Sequence, residues 1–63
     1  MKIKASDVGR WVLVDWDDVG RQEAVLVDFD PPRVYAPHED GTVSIDSVDQ
    51  IVEIGPYLAR HTR

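Results

Sequence analysis

Hydrophobic residues in this chain come in short runs separated by turn-forming clusters. The clusters are Asp17-Asp18-Val19-Gly20, Asp30-Pro31-Pro32-Arg33, Glu39-Asp40-Gly41 and Gly55-Pro56. The runs between them are rich in Val, Ile, Trp and Phe, residues that fit a pleated, half-buried surface. Short strands at intervals of about 8–12 residues predict an all-β barrel or sandwich. Five strands are expected: Arg10–Trp16, Gln22–Phe29, Arg33–Pro37, Thr42–Asp46 and Ile51–Ile54. Pro31, Pro32 and Pro37 keep the third one short, because proline cannot donate to a strand ladder. Two single helical turns are expected as well. Ser6-Asp7-Val8-Gly9 can form a side-chain-capped turn before the first strand. Ser47-Val48-Asp49-Gln50 fits a capping box, with Gln three residues after Ser, and is long enough only for a 3₁₀ turn before the last strand.

Strand side chains alternate between faces. With Val12, Val14 and Trp16 inward, Trp11, Leu13 and Asp15 point outward. Ala24 and Leu26 join the inner set, which turns Val25, Val27 and Phe29 outward. Both faces of the first two strands are therefore apolar, whereas a sheet covered on one side should alternate apolar with polar. The outward set Trp11, Leu13, Val25, Val27 and Phe29 is the candidate interface, since exposed apolar patches mark interaction surfaces and Trp is enriched at binding hot spots. The competing reading covers this row with the chain's own tail or with the segment around Ile3. A one-residue slip in register would exchange the two faces.

Length sharpens the meaning of that row. The chain has 63 residues and no Cys. A domain of this size buries only about 60% of the surface its unfolded chain exposes. Disulfides and thiolate metal sites are excluded, so self-association is the remaining source of extra buried area. One domain is expected over residues 1–56, with a tail over 57–63 that frays unless Tyr57 and Leu58 dock it. The expected function is a noncatalytic protein-interaction module that self-associates through its first two strands, as a dimer or higher oligomer.

Charge restricts the partners. The net charge is −5, but residues 11–55 hold two cations, Arg21 and Arg33, against eleven acids, a net of −9. Such a body repels a phosphate backbone, so duplex nucleic acid is not an expected partner and a protein is. No apolar signal segment and no run near the roughly 20 residues of a spanning helix is present, so no membrane partner and a cytoplasmic location are expected.

Candidate chemistry adds little. Asp17, Asp18, Asp28 and Asp30 lie at turns, where Asp is ordinary, and lack the spacing of a calcium loop. His38 and His61 are far apart and give no ligand spacing. No phosphate-binding glycine loop or nucleophile–base pair is visible. No catalytic residue, metal or cofactor is expected.

Five short strands with a 3₁₀ turn before the last resemble the SH3-like small barrel over about Val8 to Ile54. Within that class the chain is most similar to the Tudor type: Gly9, Val12, Val14, Trp16 and Ala24 fall in register with its pattern, and Asp17-Asp18 lies close to its Asp-Asp-Gly. The resemblance implies a site for a cationic, methylated side chain, held by cation–π attraction. Trp16 stands where the family places one aromatic wall, and Tyr35 could supply another, flanked by Asp17 and Asp18. The family's aromatic pair falls on Arg21 and Gln22, which leaves two walls missing. The stretch Gly41 to Ile51 also resembles the end of the type II dihydrofolate reductases, barrels that work as tetramers around a pore. Their Val-Gln-Ile-Tyr motif is Val43-Ser44-Ile45-Asp46 here, so the resemblance implies shared architecture rather than activity.

Overall fold

The computed structural model describes residues 3–57. Over that range the chain is all-β, with five antiparallel strands and three single 3₁₀ turns. The strands are β1 (Arg10–Trp16), β2 (Gly20–Phe29), β3 (Pro32–Ala36), β4 (Gly41–Ser44) and β5 (Ile51–Tyr57). They form one sheet in the order β4-β3-β2-β1-β5. The first four strands make a meander, and the chain then crosses over so that the last strand pairs beside the first.

The links follow from local chemistry. Three residues join β1 to β2, and Gly20 re-enters the ladder opposite Trp16 at φ +76°, a conformation that suits a residue without a Cβ. Pro37 ends β3 and opens a 3₁₀ turn over Pro37–Glu39, where its missing N–H leaves no donor unpaired. The third strand therefore closes at Ala36, one residue before its expected end. The expected capping box forms around the 3₁₀ turn Val48–Gln50. The Ser47 hydroxyl accepts from the Asp49 amide, and Gln50 Oε1 accepts from the amides of Asp46, at 2.8 Å, and Ser47, at 3.2 Å. Gln50 Nε2 donates to the Asp15 carbonyl at 3.3 Å, which ties this turn to β1.

The core lies on the inner face. Val12, Val14, Ala24, Leu26, Val34, Ala36, Ile45 and Ile51 are buried, and Trp16, Val43, Ile54 and Ile3 pack against them. Cross-strand pairing accounts for the set. Val12 stands opposite Ala24, Leu26 opposite Val34, and Val14 opposite Ile51, so large and small side chains interleave on one face. Of the inward residues expected from alternation, Val12, Val14, Ala24 and Leu26 are buried and Trp16 is half-buried.

β5 runs to Tyr57, three residues beyond the strand expected from sequence, through Gly55 and Pro56. Irregular register against β1 accommodates this stretch. Pro56 sits on an edge strand, the position in a sheet that tolerates a missing donor. Residues 58–63 lie outside the described range.

Candidate outer-face docking surface

The outer face is organised by register. Trp11 stands opposite Val25, Val25 also stands opposite Tyr35, and Tyr35 stands opposite Thr42. Trp11, Val25 and Tyr35 thus form one row across three neighbouring strands. Directly opposite side chains lie about 5 Å apart, close enough to make a continuous surface. Tyr35 is 42% exposed and Val27 40%, while Trp11, Leu13 and Val25 are half-buried.

Trp11 has partial cover from its own chain. The indole lies so close over Gly55 that a Cβ built there would come within 2.5 Å of Trp11 Cε3. A glycine on the edge strand is what allows the ring to come this close to the backbone. Phe29 stands apart from the row. A bulge at Val27 puts Leu26 opposite Val34 but Asp28 opposite Arg33, and Phe29 then pairs with Pro32. Because the bulge inserts one residue, the alternation changes phase there, and Phe29 no longer follows Val25 and Val27.

A second row runs parallel to the first, two residues along the strands. Leu13 stands opposite Glu23 on one side and Glu53 on the other. Beyond it Asp15 faces Arg21, and at the bulged end Asp28 faces Arg33. The ion pairs found among the described residues, Arg10–Asp7 and His38–Glu39, involve neither Glu23 nor Glu53.

The residues expected to hold a cationic side chain are not brought together. Trp16 packs against the inner core, and its ring centroid is 5.4 Å from that of His38 at an interplanar angle of 59°. Tyr35 lies between buried Val34 and Ala36 on β3 and therefore faces the opposite side of the sheet. Asp17 and Asp18 are exposed in the β1–β2 turn, next to Trp16 alone. Trp16 Nε1 is shielded from solvent and has no hydrogen-bond partner among the described residues.

A polar cluster that the sequence reading did not single out closes the end of the sheet beside Trp11. Asp7 is the buried charged residue among the described ones. It accepts from the Lys4 amide at 3.0 Å and from Arg10 Nη1 at 3.0 Å. Arg10 Nε donates to the Gly55 carbonyl at 2.8 Å, and its guanidinium lies 5.2 Å from the centre of the Tyr57 ring. The Tyr57 hydroxyl in turn donates to the Ser6 carbonyl. The Lys4 amide, with Arg10 behind it, holds the Asp7 carboxyl below its ordinary pKa against the opposing cost of burial. The signal in the sequence was an Asp three residues before an Arg at the mouth of the first strand.

No cluster of three or more metal-ligating side chains occurs among the described residues, and no enclosed pocket is found there. No helix among them is long and apolar enough to cross a membrane. No protein-family model, curated protein or solved structure matches the chain.

Proposed function

We propose that this protein is a noncatalytic interaction module of the SH3-like, Tudor-like barrel type, and that it self-associates through the outer face of β1 and β2. A meander whose fifth strand returns beside the first, with a 3₁₀ turn just before it, supports the barrel type. The observation that carries the function is the apolar row Trp11–Val25–Tyr35, which crosses three strands with Tyr35 exposed and with exposed Val27 two residues along β2. Burying it would add apolar contact at about 25 cal/mol per Å² to a domain whose own core is small. The module reading extends the expected interface by one strand, to Tyr35.

Size-exclusion chromatography with light scattering on the wild type and on Tyr35→Ser with Val27→Thr tests this. Both changed positions are exposed, so the variant keeps its core. The wild type at high concentration is expected well above the 7.1 kDa of one chain, and the variant closer to it. A wild-type mass that stays at one chain's value overturns self-association.

A further inference from the structure

Two carboxylates border the apolar row, and neither is ion-paired among the described residues. Glu23 and Glu53 flank Leu13 from β2 and β5, and both are exposed. Among the described residues the cations on this face are Arg21 and Arg33, which the register sets opposite Asp15 and Asp28 rather than opposite either glutamate. Two strand spacings separate the backbones at Glu23 and Glu53, roughly 9–10 Å. A cation above Leu13 would therefore lie between the two carboxylates. One step along the strands, about 7 Å away, begins the row of Trp11, Val25 and Tyr35. Its aromatic rings offer apolar contact and a second attraction for a cation.

A second copy of this chain can cover the apolar row but offers the two glutamates no cation. It brings another pair of glutamates and an acidic body of net −9 over residues 11–55. Like charges set against each other across an interface are costly, whereas a positive patch on a negative one speeds and orients docking. We propose that the preferred occupant of the outer face is a cationic segment of another protein. It would set Lys or Arg between Glu23 and Glu53 and lay apolar side chains along Trp11, Val25 and Tyr35, displacing the second copy. This rests on the reading of the outer face as the docking surface.

The probe is a short fluorescein-labelled peptide of repeated Lys-Leu-Ser units, with a Glu-Leu-Ser peptide as its match, followed by fluorescence anisotropy at low salt. Light scattering on the same samples reports the protein's mass. The Lys peptide is expected to bind and to lower the mass toward one chain, and the Glu peptide to do neither. Glu23→Lys with Glu53→Lys is expected to weaken binding about tenfold or more. Asp17→Lys with Asp18→Lys brings the same change in net charge at the β1–β2 turn and is expected to weaken it less than about threefold.

Equal losses in the two charge variants would mean attraction to overall charge and overturn the proposal. A larger loss in the turn variant would move the cation to the Trp16 end and overturn it too. Absence of Lys-peptide binding, while Tyr35→Ser with Val27→Thr still lowers the mass, overturns the cationic partner and leaves self-association standing. If that variant changes neither mass nor peptide binding, the docking surface itself is wrong.

Discussion

Each face of β1 and β2 carries an apolar row, and the two rows end in different states. Inward-pointing Val12, Val14, Ala24 and Leu26 are 0–1% exposed, whereas outward-pointing Trp11, Leu13 and Val25 stay half-buried and Val27 is open. Composition does not separate the two rows. What differs is cover supplied from elsewhere in the chain. The inner row meets Val34 and Ala36 from β3, Ile45 from the crossover and Ile51 from β5. The outer row meets Gly55, whose lack of a side chain lets one indole settle but brings no apolar surface of its own. Burial in so small a domain is thus decided by the partner each row finds, and the outer row's partner is incomplete among the described residues.

The sharpest way to break this comparison is to truncate neighbours that point to opposite sides. Leu26→Ala is expected to cost about 2–5 kcal/mol, as large-to-small changes in a packed core do. That is comparable with the whole margin of a domain this size, about 3–5 kcal/mol, so the variant should be largely unfolded at 25 °C by circular dichroism. Val27→Ala, one residue on but 40% exposed, is expected to cost under about 1 kcal/mol in urea denaturation. Equal losses at the two positions would mean that both faces are closed alike.

A smaller effect tests the cover that Gly55 gives Trp11. Gly55→Ala would place a Cβ 2.5 Å from Trp11 Cε3 and displace the indole. Overpacking of this kind costs about 1–3 kcal/mol. The expected result is a lower melting temperature together with a shifted Trp11 indole N–H resonance, while the Trp16 resonance stays in place. A shift at Trp16 instead would show that the strain is relieved through the core.

Much of the fold was legible because its signals are local. The limits of β1, the inward set on β1 and β2, and the Ser47–Gln50 capping box all follow from residues within a few positions of each other. The differences arise where distant segments meet. The bulge at Val27 depends on how β3 pairs with β2, so the phase at Phe29 was hidden. The extension of β5 through Pro56 to Tyr57 needs Arg10 to hold the Gly55 carbonyl and to lie against the Tyr57 ring, contacts some 45 residues apart in sequence. Tyr35 was expected to stand with Trp16, but burial of Val34 and Ala36 on either side of it puts it on the opposite face. Its union with Trp11 was not legible, because that depends on two successive registers.

The same distant contacts give the narrowest prediction, at the end of the sheet where the two faces meet. Asp7 is buried among the Lys4 amide and the Arg10 guanidinium, and its pKa is lowered by that amide first and by Arg10 after it. A lowered folded value means that the native state favours the carboxylate. Its contribution to stability is complete above the unfolded value, about pH 4, and fades as pH falls through the lowered folded value. Around neutral pH the wild type should therefore show no pH dependence from this group, and the loss should be confined to the acid side. Asp7→Asn keeps the shape but removes the titration, so its stability should depend less steeply on pH below about 4 than that of the wild type. Urea midpoints measured from pH 6 down to about pH 2 check this. Parallel curves for the two proteins would mean that the carboxylate is no better held in the folded chain than in the unfolded one. The closure of β1 against β5 would then rest on Arg10, Gly55 and Tyr57 without it.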